Sequence, residues 1–131
     1  MDSQEKNVLN ISYTKDAGEL AKYYSAADVL LYPSIADNCP LVVLEAQACG
    51  LPVVAFKTGG IPELVTHQIT GYIAEYQNAK DLRRGLEYIL SLERQPVETM
   101  HHKAIQKINN GFTVEKMADQ YLQLYNQILK T

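Results

Sequence analysis

One stretch, residues 30–63, limits the possible folds of this chain more than any other part of it. It reads LLYPSIADNCPLVVLEAQACGLPVVAFKTGGIPE. Two short apolar runs, Val29–Tyr32 and Pro52–Phe56, flank a nine-residue segment with helical character, Leu41–Cys49. β-Branched and aromatic residues favour strands in the two runs, and turn residues follow each of them. The stretch therefore predicts a strand–helix–strand unit with parallel strands and a right-handed crossover.

The loops that follow the two predicted strands are the first candidates for a binding site. Pro33–Pro40 follows the first strand, and Lys57–Pro62 follows the second. Ligands of open α/β sheets bind beyond the carboxyl ends of the strands. Gly59 and Gly60 lie in the second loop, where they permit positive φ or a close approach of backbone. We therefore expect most functional residues in these two loops.

Glu45 is the most unusual residue of the predicted helix. Only Glu45 and Gln47 are polar between Leu41 and Cys49, and a helix that is apolar nearly all round is expected to be buried on most sides. An ionised carboxylate there needs a partner. Glu45 is therefore either capped or salt-bridged, or it accepts hydrogen bonds from the hydroxyl groups of a ligand. Exposure to bulk solvent, or a salt bridge far from the two loops, would contradict the ligand alternative.

The start of the same helix offers hydrogen-bond donors for an anion. Pro40 lies in its first turn, and the amides of Leu41 and Val42 have no acceptor within a helix. Such amides, together with the helix dipole, favour a phosphate group. Hydroxyl groups and a phosphate together indicate a nucleotide or a sugar phosphate as the ligand.

These residues resemble the C-terminal domain of a known enzyme family. The shared pattern is Pro-Ser, an acid, seven positions, a second acid in Glu-Ala-x-Ala-Cys-Gly, then Pro-Val-Val-Ala and Gly-Gly-Ile-Pro-Glu. The combination is similar to the family-four (group 1) retaining glycosyltransferases, which have two Rossmann-like domains in the B-type fold and use nucleotide sugars. The resemblance runs from about Tyr13 to Leu90. It implies that residues 1–131 are part of the C-terminal, nucleotide-sugar-binding domain.

The resemblance implies roles for the two acids and for the start of the helix. Glu45 matches the acid that binds the ribose hydroxyls of the donor nucleotide. Asp37 matches the acid, eight positions earlier, that positions the donor sugar. The amides of Leu41 and Val42 match those that contact the distal phosphate of the donor.

The loop that carries the first acid departs from the pattern of the family. The family usually has Glu where Asp37 stands, so the reach is shorter by one methylene. It usually has an aromatic residue and Gly where Cys39 and Pro40 stand, so one amide donor is lost. The Asp-Asn-x-Pro variant implies altered sugar contacts rather than lost function. The remaining residues that the resemblance assigns to donor binding are Asn38, Pro40, Gly59 and Gly60.

The rest of the chain predicts an α/β fold with an open parallel sheet and helices on both faces. The expected elements are a strand in Val8–Tyr13, helices over Ala17–Ala27 and Pro62–Thr66, a strand in Ile69–Tyr76, a helix capped by Asn78, and helices over Pro96–Asn109 and Thr113–Lys130. Together they predict a truncated Rossmann-like sheet of about four strands. The resemblance implies that the first two βα units and the N-terminal domain are missing.

A sheet of this kind is expected to have an open edge beside Val29–Tyr32. In the strand order 3-2-1-4-5-6, the missing units hold the inner neighbour of this strand. An unpaired apolar edge invites another strand. Either Val8–Ile11 takes the vacant place, or a second copy of the chain pairs there. We therefore expect a dimer or another form of self-association.

Composition and motifs argue against several other classes of protein. The chain has 131 residues and a formal net charge of −3, which argues against general nucleic-acid binding. Its two cysteines and three histidines lack the spacing of metal ligands, so we expect reduced thiols and no metal. P-loop and dinucleotide glycine motifs do not occur. No apolar run approaches the roughly 20 residues of a membrane helix, and no signal peptide is recognisable, so we expect a cytoplasmic protein.

The resemblance implies the donor-binding part of a retaining glycosyltransferase. Such an enzyme would transfer a hexose from a nucleotide-diphosphate sugar, without a cofactor, to a glycan or lipid-linked acceptor in cell-surface polysaccharide synthesis. The missing domain would hold the acceptor near the inner face of the membrane, with peripheral membrane contact. We expect the chain alone to be inactive. The alternatives are a non-catalytic binding or assembly module that kept the fold, and a relative of the B-type epimerases.

Overall fold

The computed structural model describes residues 7–130, which form a three-stranded sheet and six helices. The strands are β1 (Leu30–Tyr32), β2 (Val53–Phe56) and β3 (Gly71–Ala74). The helices are α1 (Ala17–Ala26), α2 (Leu41–Ala48), α3 (Ile61–Leu64), α4 (Ala79–Leu90), α5 (Arg94–Gly111) and α6 (Val114–Leu129). The predicted strand–helix–strand unit is confirmed as β1–α2–β2.

The sheet is parallel throughout, and its order is β1-β2-β3. Val53 of β2 is in register with Leu30 of β1 and with Gly71 of β3. All residues of β2 are buried, as expected for a central strand that is covered on both faces. The carboxyl ends of all three strands therefore lie at one edge of the sheet.

Alternate residues of β2 point into two separate cores, one on each face of the sheet. Val53 and Ala55 belong to a core that also contains buried side chains of α2 and α3. Val54 and Phe56 belong to a second core with buried side chains of α4 and α5. Helices on both faces of a parallel sheet are confirmed, because each face needs an apolar layer to cover it.

The strand expected in Val8–Tyr13 does not occur among the described residues, so the predicted count of about four strands is wrong. This segment has no regular structure, and Val8, Leu9 and Tyr13 are exposed. A strand forms only where another strand satisfies its backbone groups, and in the described residues β1 pairs with β2 alone. Val8–Ile11 therefore does not occupy the open edge of β1. Pairing of that edge with a second copy stays a prediction.

Helix α5 is longer at both ends than its expected range, Pro96–Asn109. It begins at Arg94, because a proline in the first turn removes only an N–H that has no partner within the helix. It continues through Gly111, where the Phe112 N–H still donates to the Ile108 carbonyl at 2.8 Å. Phe112 packs against the core of α2 and α3, so a tertiary contact outweighs the local stop signal of Asn110-Gly111.

The last helix, α6, presents its apolar stripe to solvent. Within its described residues no side chain is buried. The exposed stripe consists of Val114, Met117, Tyr121, Leu124, Tyr125 and Ile128. The length and apolar content of the helices between residues 7 and 130 fall short of what a membrane crossing requires.

Candidate functional site

The two loops at the carboxyl ends of β1 and β2 are joined by hydrogen bonds. The Gly60 N–H donates to the Asp37 carbonyl oxygen at 3.2 Å. The Thr58 hydroxyl donates to the Ile35 carbonyl oxygen at 3.1 Å. The loop that carries the first acid is therefore held by the loop that carries the glycine pair.

The glycine pair permits this contact, because there is no space for side chains between the loops. A Cβ atom on Gly59 would overlap the carbonyl oxygen of Asp37, and one on Gly60 would overlap that of Asn38. Gly59 also has a φ of +50°, which L residues rarely adopt. The expected close approach of backbone is present, and its partner is the loop of Asp37 and Asn38.

Asp37 is held at the end of β1 by two groups of its own chain. Its Oδ2 atom accepts a hydrogen bond from the Tyr32 hydroxyl at 2.6 Å, and its Oδ1 atom accepts one from the Cys39 N–H at 3.2 Å. Asp37 is half-buried. The bond to Asp37 is the main reason why the pKa of Tyr32 is raised. The carboxylate therefore has a defined position, with oxygen lone pairs left for other donors.

The start of α2 keeps the donors that an anion would need. Pro40 is the N-cap, and its carbonyl accepts from the N–H groups of Val43 and Leu44 at 3.1 and 3.3 Å. Among residues 7–130, no side chain caps the helix. The amides of Leu41 and Val42 come before the first of these bonds, and both side chains are exposed. This helix start therefore presents amides at the edge of the sheet where the loops meet.

The expectation that α2 is buried on most sides is wrong, and Glu45 is exposed. The helix buries one face, which carries Val43, Ala46 and Gln47. Gln47 is the buried polar residue of the helix, and its Nε2 atom donates to the Leu64 carbonyl at 2.8 Å. The physical reason is that α2 packs against the sheet and α5, whereas α1 covers only part of its remaining surface.

Glu45 lies against α1 and accepts a hydrogen bond from a tyrosine. The Tyr24 hydroxyl donates to the Oε2 atom of Glu45 at 3.2 Å. The ion pairs found among residues 7–130 involve other acids, so no lysine or arginine in that range forms a salt bridge with this carboxylate. Burial of Tyr24 and the negative charge of Glu45 both raise the pKa of Tyr24, so the phenol stays protonated.

The Glu45 side chain lines two surface pockets, and Tyr24 lines both of them as well. The smaller has a volume of about 200 Å³ and lies between α1 and α2. The larger is an open groove of about 670 Å³, which is also lined by residues 11–15, Tyr24 and Val42. Ligand pockets commonly have volumes of about 300–1,000 Å³. The exposed part of Glu45 therefore faces a groove of suitable size beside the start of α2, so its exposure is to this groove and is not the exposure to bulk solvent that would contradict the ligand alternative.

The structure brings the predicted site residues together in two groups. Asp37, Asn38, Gly59 and Gly60 form one group at the contact between the loops. Val42 and Glu45 form the other, along the groove. The first turn of α2, from Pro40 to Val42, connects the two groups. Asn38 is exposed, and Asp37 does not line the groove.

Sequence reasoning missed three residues that hold this site together: Tyr24, Tyr32 and Thr58. From the sequence, Tyr24 falls within the predicted helix Ala17–Ala27, and Tyr32 ends the predicted strand Val29–Tyr32. The position of Tyr32, at the end of a strand and directly before the acid loop, was the available signal. Tyr24 of α1 meets Glu45 of α2 only because the two helices pack together, and no local pattern in the sequence predicts this contact.

Metal-binding groups do not assemble in the described part of the chain. Between residues 7 and 130, no three His, Cys, Asp or Glu side chains could hold a metal ion together. Cys39 is exposed and Cys49 is half-buried, and both are free thiols. The expectations of no metal and no cofactor stay predictions.

Comparisons with known sequences cover most of the chain. The family model described as "Glycosyl transferases group 1" matches residues 3–110. A D-inositol 3-phosphate glycosyltransferase of Pseudarthrobacter chlorophenolicus is 37% identical over 97 residues, which are 74% of this chain and 23% of that relative.

Comparisons with solved structures also find similar proteins over most of the chain. Sucrose-phosphate synthase from Thermosynechococcus elongatus superposes with a TM-score of 0.77 and 35% identity, over 86% of this chain and 28% of that one. The Anabaena HepE protein in complex with UDP-glucose superposes with a TM-score of 0.72 and 25% identity, over 81% of this chain and 29% of that one. The chain therefore spans about a quarter of the length of the relatives that it matches.

Proposed function

Because the chain belongs to the group 1 glycosyltransferases, we propose that it binds the nucleotide-sugar donor of a retaining glycosyltransferase. The observation that carries the proposal is the position of Glu45. Its carboxylate lines a groove of about 670 Å³ beside the start of α2, whose first amides have no partner within the helix. A ribose with its hydroxyls and a phosphate are the two chemical groups that this combination suits.

The donor would lie across the first turn of α2. Glu45 would accept hydrogen bonds from the ribose hydroxyls, and the amides of Leu41 and Val42 would bind the distal phosphate. Asp37, on the far side of that turn, would accept from hydroxyls of the sugar. The groove that continues past Glu45 to residues 11–15 would receive the base. A neighbour in structure, HepE, is described in complex with UDP-glucose, which supports a donor of this class.

The reaction proposed for the whole enzyme is the transfer of a hexose with retention. The donor phosphate would assist its own departure and accept the proton of the acceptor hydroxyl, so that no metal or cofactor is needed. The acceptor, a glycan or a lipid-linked sugar at the cytoplasmic face of the membrane, would lie outside the contacts described above. We infer cell-surface polysaccharide synthesis as the setting. We expect the 131-residue chain alone to bind the donor without turning it over.

Isothermal titration calorimetry with UDP- and GDP-sugars tests donor binding. We expect the wild-type chain to bind one of the two series, and Glu45→Ala to lose at least about tenfold in affinity, because hydrogen bonds to a charged group are removed. Glu87→Ala is the matched control, since Glu87 is an exposed acid of α4 that pairs with Arg83 and should leave binding unchanged.

The same titration also addresses the alternative function. If the wild-type chain bound neither series, the donor-site proposal would be wrong. The non-catalytic binding or assembly module would then be favoured, and the exposed apolar stripe of α6 is the observation that supports it. Equal loss of binding in Glu45→Ala and Glu87→Ala would also contradict a specific role of Glu45.

A further inference from the structure

Each of the two candidate donor-site carboxylates accepts a hydrogen bond from a tyrosine hydroxyl of the same chain. Tyr32 donates to Asp37 at 2.6 Å, and Tyr24 donates to Glu45 at 3.2 Å. The two tyrosines come from different elements, the end of β1 and the helix α1. Both rings pack against the core that contains α2 and α3. Each ring is therefore anchored by packing, and its hydroxyl can hold the carboxylate that it binds.

At Asp37, the tyrosine completes a fixed arrangement of both carboxylate oxygens. The Cys39 N–H binds Oδ1, so the Tyr32 hydroxyl on Oδ2 removes the remaining freedom of the group to rotate. A carboxylate accepts about four hydrogen bonds, so each oxygen still has a lone pair for a ligand. Because aspartate has a short side chain, its reach depends on this orientation.

At Glu45, the tyrosine selects one position of a longer and exposed side chain. A glutamate on a helix surface samples several rotamers, and ordering it costs free energy when a ligand binds. The bond from Tyr24 holds Oε2 towards α1 and leaves Oε1 for a ligand in the groove. A group that is already ordered in the free protein binds more tightly, because this cost does not fall on the binding step.

We propose that Tyr24 and Tyr32 are positioning residues of the donor site, each responsible for a different part of the donor. Tyr24 orients the carboxylate for the ribose, and Tyr32 orients the carboxylate for the sugar. This inference rests on the proposed function. It adds a division of labour between the two tyrosines. Tyr24 contributes to the affinity for any nucleotide, whereas Tyr32 contributes to the affinity only when a sugar is attached to the nucleotide.

The protonation of the two phenols fits this role. Burial, followed by the charge of Glu45, raises the pKa of Tyr24. The hydrogen bond to Asp37 is the main cause of the raised pKa of Tyr32. Both hydroxyls therefore stay protonated at neutral pH and can donate to their carboxylates.

Calorimetric titration of two phenylalanine variants with UDP and with UDP-glucose tests the inference. If the wild-type chain binds the GDP series instead, GDP and GDP-mannose take their place. We expect Tyr24→Phe to weaken nucleotide and nucleotide sugar alike, by about three- to tenfold. We expect Tyr32→Phe to weaken the nucleotide sugar by a similar factor and to leave the nucleotide unchanged. Each variant keeps its ring, so circular dichroism should show native helix content.

A third phenylalanine variant provides the matched control. The Tyr72 hydroxyl also donates to a carboxylate, that of Asp81, at 2.9 Å, but this pair lies between β3 and α4. We expect Tyr72→Phe to bind both ligands as the wild-type chain does. If it weakened them as the other variants do, the effects would be a general loss of rigidity and the inference would be wrong.

The outcomes separate this inference from the proposed function. If Glu45→Ala lost binding but neither Tyr24→Phe nor Tyr32→Phe changed it, the donor site would stand and the positioning role would be overturned. Equal weakening of nucleotide and nucleotide sugar by Tyr32→Phe would overturn the division of labour. A wild-type chain that bound no nucleotide would contradict the proposed function, and with it this inference.

Discussion

The β3 side of the sheet is closed by its helices, whereas the β1 side is open. Beside β3, Ala74 is fully buried in the second core together with Leu82 and Ile89 of α4. Beside β1, Leu31 is 44% exposed although it pairs in register with Val54, which is fully buried. The candidate donor residues all lie towards the open side, in α2 and in the loops that follow β1 and β2. The closed side therefore supplies stability, and the open side supplies surfaces for binding.

The two sides also use the same phenol–carboxylate contact differently. On the closed side, Asp81 accepts from the Tyr72 hydroxyl and from the Glu75 N–H at 2.9 and 2.8 Å, and the residue is buried. On the open side, Asp37 is half-buried and Glu45 is exposed. A buried carboxylate that is fully hydrogen-bonded fixes structure, whereas a partly exposed one keeps lone pairs for a ligand.

The largest expected effect is the loss of a buried side chain on the closed side. Ile89 of α4 is 2% exposed, so Ile89→Ala should lower the free energy of unfolding by about 2–5 kcal/mol through lost burial and a cavity. Leu31→Ala, on the open side, should cost less than about 1 kcal/mol, because surface changes usually have small effects. Urea denaturation of both variants measures the difference. Similar losses would show that the β1 side is as well packed as the β3 side.

A smaller effect on the free energy of unfolding is expected from Asp81, whose contribution depends on pH. The hydrogen bond from the Glu75 N–H is the main reason why its pKa lies below the usual 3.8, and burial opposes the shift. The folded state therefore binds this proton less readily than the unfolded state. The stabilisation is complete above the unfolded pKa and is lost as the pH falls through the lowered folded pKa.

The variant Asp81→Asn keeps the shape of the side chain and removes its charge. We expect it to be less stable than the wild-type chain at pH 7 by about 1–3 kcal/mol, and the difference to shrink as the pH falls below about 4. Urea denaturation at a series of pH values from 7 to about 2 tests this. A deficit that stayed constant over the whole series would contradict the role of the charge.

The smallest expected change in stability comes from a substitution at the edge of β1, which should change the oligomeric state of the protein. The edge of β1 is unpaired in the described residues, and we propose that a second copy of the chain pairs with it. A lysine on an edge strand opposes such pairing. Leu31→Lys should therefore shift the protein from dimer to monomer in light scattering, with less than about 1 kcal/mol lost from the monomer. A wild-type chain that stays monomeric at high concentration would remove the proposal.

The sequence predicted the elements of the fold well where local signals and packing agree. The apolar run of β2, the cap at Asn78 and the predicted helices over Ala17–Ala27 and Thr113–Lys130 all led to elements within a few residues of those observed. The prediction for Val8–Tyr13 was wrong, because a strand depends on a partner that local alternation does not reveal.

The placement of the candidate site residues at the carboxyl ends of the strands was predictable from the sequence, but their environment was not. Asp37, Glu45 and the glycine pair follow from the motif, and the close backbone contact at Gly59 and Gly60 was expected. The expectation that α2 is buried on most sides was wrong at Glu45, because a helix that is apolar nearly all round need not be covered around its whole circumference. Which of its two polar residues is buried, Glu45 or Gln47, depends on the angle at which α2 meets the sheet, and composition does not encode that angle.

The backbone contact between the two loops has a consequence for engineering donor specificity. Residues 35–38 and 58–60 are in contact through main-chain atoms and the Thr58 hydroxyl, so a longer or bulkier insert in either segment would push the other away. If only the loop that carries Asp37 were exchanged for that of a relative, the new loop would not fit against residues 58–60. The two segments therefore form a single transplantable unit, and recombination should place its crossover points outside residues 33 and 62.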